Sequence, residues 1–122
     1  MTKILLIGGE DIGELLKTEL RNEGYDVTRM NTPGVIEPII EELDGINYGI
    51  LVAMGNGFPY RRLPALVSAV RISHPSMKVL AISGCDDLSF VIELKKCGVD
   101  DYITMPFVLE DVVQSVKDMI EK

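Results

Sequence analysis

Short apolar runs alternate with longer amphipathic stretches along the whole chain. Most of these runs are too short for helices and lack polar alternation, which predicts strands buried on both faces of a sheet. The predicted strands cover residues 4–7, 26–30, 49–54, 79–82 and 102–103. Apolar residues at helical spacing follow each of them, so the pattern predicts five helices that alternate with five strands.

Turn and capping residues indicate where the helices begin and end. Gly98 suits the position that follows a helix, and Asp86 or Asp87 suits the N-cap of that same helix. Pro38 falls inside the apolar spacing of the second helix, where a proline would clash with the preceding turn. That helix is therefore either kinked at Pro38 or begins near Glu37.

The order of these elements predicts the fold class. Strands without polar alternation must be covered on both faces, so we expect an α/β fold with a five-stranded, doubly wound parallel sheet. A chain of 122 residues has the length of one domain, which we expect to span residues 1–122. Ligands of such sheets bind at the carboxyl ends of the strands, so functional residues are expected there.

Composition and charge exclude several classes of protein. Hydrophobic residues make up 47% of the chain and charged residues 25%, which is not the composition of a disordered chain. The net charge of −7 argues against nucleic-acid binding, which requires clustered positive charge. No apolar run approaches the roughly 18 residues of a membrane span, and the N-terminus lacks a signal-peptide pattern. We therefore expect a cytoplasmic domain that does not bind membranes.

The cysteine and histidine content predicts neither a disulfide nor a zinc site. Cys85 and Cys97 form no CxxC pair, and the chain contains a single histidine. Two cysteines and one histidine are too few for a typical zinc centre, so both cysteines are expected to be free thiols.

The turn after the first strand does not match a dinucleotide-binding fingerprint. The segment GGEDIG, residues 8–13, has Glu10 in the third place, where the fingerprint needs a glycine that approaches the pyrophosphate. The acidic residue expected at the end of the second strand is also missing, since Arg29, Met30 and Asn31 stand there. A tight strand-to-helix turn is the favoured interpretation.

Two segments carry a resemblance to a known family. The string KKCGVDDYITMPF, residues 95–107, resembles the last third of a response-regulator receiver domain. The opening KILLIGGEDIGELLKTELRNEGYDV, residues 3–27, is similar to the start of that family, with one residue fewer in the first loop. The resemblance covers essentially the whole chain and implies a flavodoxin-like, receiver-type arrangement of the sheet.

The resemblance also implies which positions would carry phosphoryl transfer. In receivers, a partner histidine kinase phosphorylates an Asp at the end of the third strand, an acidic pair after the first strand holds Mg²⁺, and a Lys ends the fifth. In this chain the acidic pair falls on Gly8 and Gly9, the phosphoacceptor on Ala53 and the Lys on Met105. The ionisable groups of the reaction are therefore missing, and no catalytic residue, metal or cofactor is predicted.

Three switch-like positions keep residues of the family's type. Ser83 ends the fourth strand, Tyr102 lies in the fifth, and Pro106 is followed by Phe107. The resemblance implies a cis peptide bond between Met105 and Pro106. Ser83 and Tyr102 also have plain structural interpretations, as a hydroxyl bonded to backbone at a strand end and as a half-buried aromatic residue at the sheet edge.

Other acids and a second surface leave alternatives open. Glu10, Asp86 or Asp87 could replace the lost phosphoacceptor, but an acid at a helix start is more often a cap or a solvated charge. Phe58 and Arg61 lie in an aromatic and basic loop that is either an interface or, for Phe58, a filling of the emptied pocket; the filling is favoured. The interface implied by the resemblance comprises Phe90, Lys95, Tyr102 and Phe107.

These observations predict a pseudo-receiver, meaning a receiver-like module that works without phosphorylation. We expect a non-enzymatic regulatory module in two-component or phosphorelay signalling, acting as a monomer or weak homodimer. Its partner would be a signalling kinase or an output protein. The regulatory output would come from that separate protein or from a longer parent chain that contains this domain. The alternative is a small nucleotide- or ligand-binding domain that uses the pocket at the carboxyl ends of the strands.

Overall fold

A computed structural model describes residues 2–121 as a parallel sheet flanked by helices on both faces. The elements are β1 (Lys3–Ile7), α1 (Glu10–Asn22), β2 (Asp26–Met30), α2 (Glu37–Gly45), β3 (Ile50–Met54), α3 (Leu63–Ser73), β4 (Lys78–Ser83), α4 (Leu88–Cys97), β5 (Asp101–Thr104) and α5 (Leu109–Glu121). The strand order is β2-β1-β3-β4-β5 and every pairing is parallel. The predicted fold class is confirmed. A 3₁₀ turn at Tyr60–Arg62 lies in a segment that the sequence pattern predicts as loop.

The helix boundaries follow from caps and prolines. α2 begins at Glu37 and carries Pro38 in its first turn, where the missing backbone N–H breaks no helical hydrogen bond. Of the two sequence alternatives, the start near Glu37 is therefore the one adopted. Asp87 caps α4 by accepting a hydrogen bond from the Ser89 N–H at 2.9 Å, and Gly98 ends that helix at φ 104°.

The core consists of two layers separated by the sheet. Successive strand residues point to opposite faces, so each apolar strand contributes to both layers. One layer contains buried residues of β1, β3 and β4 together with Leu16, Leu20, Val112 and Val116 from α1 and α5. The other contains Ile39, Leu43, Leu66, Val67 and Leu94 from α2, α3 and α4. Both faces of the sheet are thus covered, as the lack of polar alternation predicted.

Arg71 anchors the C-terminal end of α4 to the end of the sheet where β4 and β5 begin. Its Nε donates to the Gly98 carbonyl at 2.8 Å, and its Nη2 contacts the Asp100 carboxylate at 2.5 Å. Asp100 also accepts a hydrogen bond from the Val79 N–H at 2.7 Å. One side chain of α3 therefore fixes the junction between α4 and the strands β4 and β5.

The described helices include none that is long and apolar enough to cross a membrane. Cys85 and Cys97 are both free thiols, as predicted, and both are half-buried.

Candidate functional site at the carboxyl ends of the strands

The loop after β1 lies directly against the loop after β3. The Gly9 N–H donates to the Asn56 carbonyl at 2.5 Å, and the Gly8 N–H donates to the Met30 carbonyl at the end of β2 at 3.2 Å. Gly8 and Gly9 have φ values of 74° and 88°, a left-handed conformation that glycine adopts without steric cost. Backbone atoms therefore close the space between the ends of β1, β2 and β3.

Both glycines are required by this close approach. A Cβ atom on Gly8 would lie 2.6 Å from the Met54 carbonyl oxygen and 2.9 Å from that of Asn56. A Cβ on Gly9 would lie 2.6 Å from the Met54 sulfur. Receivers carry two acidic side chains at this place. Both are missing here, and the observed backbone leaves no room for them.

Ala53, at the phosphoacceptor position, is sealed from solvent. Its relative exposure is 0%, and it belongs to the same buried cluster as Ile7 and Phe58. Phe58 is also 0% exposed, which confirms that it packs into the core and contradicts its assignment to an exposed interface. Met105, in the place of the Lys, is half-buried and packs against the cluster that contains Met54. Of the positions predicted to form a degenerate pocket, Gly8, Gly9 and Ala53 are buried in a filled core, Met105 is half-buried and Glu10 is exposed.

The candidate substitute acids lie outside this core. Glu10 is exposed at the start of α1 with φ 46°, and its carbonyl accepts a hydrogen bond from Arg29 Nη2 at 2.8 Å. Asp86 is exposed, whereas Asp87 is engaged as the cap of α4, and the hydrogen bonds from Ser89 lower the pKa of its carboxyl. No group of three or more His, Cys, Asp or Glu side chains within residues 2–121 is placed to hold a metal ion.

Ser83, Tyr102 and Cys85 form a closed cycle of hydrogen bonds. The Tyr102 hydroxyl donates to the Cys85 carbonyl and lies 2.6 Å from the hydroxyl of Ser83, which is fully buried. The Cys85 N–H in turn donates to Ser83 Oγ at 3.1 Å. Burial raises the pKa of Tyr102, and the hydrogen bond with Ser83 opposes that shift. The cycle fastens the loop between β4 and α4 to β5.

A row of three aromatic rings extends from this cycle. Phe90 makes edge-to-face contacts with Tyr102, at 6.1 Å between ring centroids, and with Tyr60 at 5.4 Å. The exposed Arg61 lies over the Tyr60 ring at 5.6 Å. The two surfaces that the sequence suggests as interfaces, the loop after β3 and the face of α4 and β5, are therefore adjacent and joined through Phe90.

The remaining predicted site residues lie on α4 and after β5, and Phe107 packs against the core layer on the other face of the sheet from the aromatic row. Lys95 is exposed on α4, Pro106 is exposed after β5, and Phe107 is half-buried. The peptide bond between Met105 and Pro106 is cis, as the resemblance implied. A groove of about 460 Å³ lies between the 3₁₀ turn and α4, with Tyr60, Arg61, Phe90 and Glu93 in its walls.

No protein-family model matches the chain, and no curated protein sequence matches it. Several solved structures match the chain. An orphan response regulator of H. pylori, HP1043, superposes with a TM-score of 0.85 at 20% identity over 98% of this chain and 96% of that one. The receiver domain of Francisella response regulator 1452 gives a TM-score of 0.85 at 24% identity over 99% and 98%. The chain has the fold of a response-regulator receiver domain.

A third receiver-fold neighbour is an atypical orphan response regulator, with a TM-score of 0.84 at 20% identity over 98% of this chain and 96% of that one. Its structure is described as revealing a phosphorylation-independent regulatory mechanism.

The sequence does not predict that three further residues close this edge of the sheet. Asn56 and Met54 contribute the atoms that meet the first loop, and Arg29 Nε donates to the Gly8 carbonyl at 3.0 Å. The only sequence signal for this closure is the pair of consecutive glycines in a first loop one residue shorter than that of receivers. Which backbone they approach depends on residues more than forty positions away.

Proposed function

We propose that this chain is a pseudo-receiver, a single receiver-like domain over residues 1–122 that regulates through protein contacts and is not phosphorylated. The observation that carries the proposal is the filled site: Ala53 is 0% exposed, and the Gly9 N–H is bonded to the Asn56 carbonyl in the loop after β3. A phosphodonor has neither a nucleophile nor a path to this position.

Phosphoryl transfer makes chemical demands that these residues do not meet. The reaction needs a carboxylate nucleophile, a divalent cation on hard oxygen ligands and a further cation for the phosphoryl oxygens. Ala53 has no nucleophilic atom, Gly8 and Gly9 have no side-chain oxygen, and Met105 is uncharged. We infer that the chain is not an enzyme and needs no cofactor.

Two of the structural neighbours agree with this proposal. One is described as an orphan response regulator, and another is described as having a phosphorylation-independent regulatory mechanism. Both share the fold over nearly the whole of this chain. A signalling role in two-component or phosphorelay systems, in the cytoplasm, follows as the function we propose.

The partner surface that we propose is the face of α4, β5 and the start of α5. Phe90, Lys95, Tyr102 and Phe107 lie on or beside this face, and the partner would be a signalling kinase or an output protein. The Tyr102 hydroxyl is tied inward to Cys85, so a partner would meet the part of the Tyr102 ring that is not packed on Phe90. Arg61 adds a positive charge next to the same surface.

The alternative ligand-binding function receives no support from the strand ends. A nucleotide at this edge would need open space at Gly8, Gly9 and Ala53, and all three residues are buried. The backbone N–H groups of Gly8 and Gly9, which could otherwise bind phosphate, already donate to carbonyl oxygens.

Intact-mass measurement after incubation with acetyl phosphate and Mg²⁺ tests the proposal. We expect no mass increase, whereas a receiver with an intact Asp, treated in parallel as the positive control, gains one phosphoryl group. A phosphorylated product would contradict the proposal, and the Glu10→Gln variant would then show whether Glu10 is the acceptor.

A further inference from the structure

The Arg29 side chain crosses from the end of β2 to the loop between β1 and α1. Its Nε donates to the Gly8 carbonyl at 3.0 Å, and its Nη2 donates to the Glu10 carbonyl at 2.8 Å. Within residues 2–121, the Gly8 carbonyl has no other hydrogen-bond partner. One planar guanidinium therefore binds two carbonyl oxygens of the same short loop.

The charge of Arg29 is largely removed from solvent. Only 15% of its side chain is exposed, and the one ion pair that it forms within residues 2–121 is a 3.7 Å contact with the exposed Glu14 carboxylate. Glu14 also pairs with Lys17 at 3.0 Å. A buried charged group loses its hydration and needs bound partners in return. The two loop carbonyls are the close partners that Arg29 has.

Gly13 in α1 leaves the space that Arg29 occupies. A Cβ atom on Gly13 would lie 2.7 Å from Arg29 Nε and 2.7 Å from the Gly8 carbonyl oxygen. Gly13 is buried inside α1, where alanine would otherwise favour the helix more than glycine does. The missing side chain at Gly13 therefore permits the contact between Arg29 and the loop.

The loop that Arg29 binds ends in an unfavourable backbone conformation. Glu10 has φ 46° and is the one non-glycine residue with a positive φ within residues 2–121. A residue persists in this region when the contacts around it fix its conformation. The hydrogen bond from Arg29 to the Glu10 carbonyl is such a contact, and the Gly9 N–H of the same loop donates to the Asn56 carbonyl.

We propose that Arg29 and Gly13 form a clamp that keeps the loop between β1 and α1 closed against the loop after β3. While Arg29 binds both carbonyls, the Gly9 N–H stays bonded to Asn56 and the carboxyl ends of the strands stay covered. Without Arg29, the loop opens although the sheet remains folded. The inference rests on the proposed function, because it names the contact that keeps the filled site closed.

Amide hydrogen exchange measured by NMR spectroscopy tests the clamp at the Gly9 N–H. In Arg29→Met, the exchange rate of this amide should rise about tenfold or more, whereas the amide of Leu51, buried in the central strand β3, should change much less. This difference distinguishes local opening of the loop from global unfolding. Arg29→Lys keeps the positive charge but not the planar group, so the Gly9 amide should exchange faster in that variant as well.

Arg21→Met is the matched control for this experiment. Arg21 Nη2 donates to the Val27 carbonyl in β2 at 2.7 Å, so this variant also loses a hydrogen bond from an arginine to a backbone carbonyl, but none to the first loop. The exchange rate of the Gly9 amide should remain that of the wild type. Equal acceleration in Arg21→Met and Arg29→Met, or unchanged exchange in Arg29→Met, overturns the proposal.

A double-mutant cycle tests the contribution of Gly13. Gly13→Ala alone should accelerate exchange of the Gly9 amide, because the new Cβ displaces Arg29. In Gly13→Ala/Arg29→Met, the acceleration should be smaller than the product of the two single effects, since either change already breaks the same contact. Single effects that multiply would show that Gly13 and Arg29 act independently, which would refute the clamp.

The outcome is separable from that of the phosphorylation test. A Gly9 amide that stays protected in Arg29→Met, in a chain that gains no phosphoryl group, would refute the clamp and leave the pseudo-receiver proposal intact. A wild type that accepts phosphate would refute the pseudo-receiver proposal, whereas the clamp is judged by the exchange rates alone.

Discussion

The hydroxyl groups of Tyr102 and Ser83 lie 2.6 Å apart and join β5 to the end of β4. Every polar atom in the cycle has a partner, because Ser83 donates to Tyr102, Tyr102 donates to the Cys85 carbonyl, and the Cys85 N–H donates to Ser83. A satisfied buried network of this kind favours one conformation. The two residues that resemble a receiver switch are thus hydrogen-bonded to each other and to Cys85 in the loop before α4.

Replacing Tyr102 by Phe should destabilise the fold. The variant keeps the ring contact with Phe90 but leaves the Cys85 carbonyl and the Ser83 hydroxyl without their partner, at a cost of about 1–3 kcal/mol in the free energy of unfolding. Urea denaturation measures this change in the free energy of unfolding. Tyr25→Phe is the control, since Tyr25 is also half-buried but its hydroxyl has no hydrogen-bond partner within residues 2–121. Equal effects at both positions would refute the role of the cycle.

Restoring an acid with Ala53→Asp should not restore phosphorylation. The new carboxylate would lie in a fully buried apolar cluster without a partner, which should destabilise the fold by about 3–5 kcal/mol. Ala65→Asp is the matched control on the exposed side of α3 and should change stability by less than about 0.5 kcal/mol. Urea denaturation and intact mass after acetyl phosphate treatment measure both effects. A stable, phosphorylated Ala53→Asp variant would show that the site opens.

Gly8→Ala should be strongly destabilising, whereas Gly45→Ala should not. The Gly8 variant combines a left-handed backbone with a Cβ 2.6 Å from a backbone oxygen, so we expect a loss of at least about 2 kcal/mol. Nothing lies within 4 Å of a Cβ on Gly45, at the end of α2, and alanine there should be neutral or stabilise by up to about 1 kcal/mol. Thermal and urea denaturation would reveal the contrast, and a tolerated Gly8→Ala would argue against the closed loop.

Stability should fall in alkaline solution because of Tyr102. Burial raises its pKa in the folded state, so the unfolded chain loses the phenol proton first as the pH rises. The stability that the raised pKa of Tyr102 contributes is fully present below about pH 10 and is lost as the pH rises through the pKa of Tyr102 in the folded state. Burial raises the pKa of Tyr48 as well, so Tyr102→Phe should reduce the loss without abolishing it. Urea denaturation at a series of alkaline pH values measures how steeply the free energy of unfolding falls with pH. An unchanged slope in Tyr102→Phe would contradict the contribution of Tyr102.

The hydrophobic pattern by itself determined the elements of this protein and their order. Strands without polar alternation require cover on both faces, and β1, β3 and β4 provide residues to both core layers as that requirement predicts. The missing carboxylates and lysine are likewise a property of the sequence, because a position either carries an ionisable group or does not. Local chemistry also limits α2, since Pro38 is tolerated in a first turn but not further inside a helix.

Only the tertiary structure decided what occupies the space that the lost groups left. Gly8 and Gly9 allow many backbone conformations, so the contact with Asn56 and Met54 depends on how β3 and its loop lie beside β1. From the sequence alone, Phe58 could lie on the surface or in the core. Tertiary packing decides between the two, and Phe58 is buried in the core. The bond between Tyr102 and Ser83 joins residues nineteen positions apart. Such contacts are set by the packing of distant segments, which local preferences along the chain do not specify.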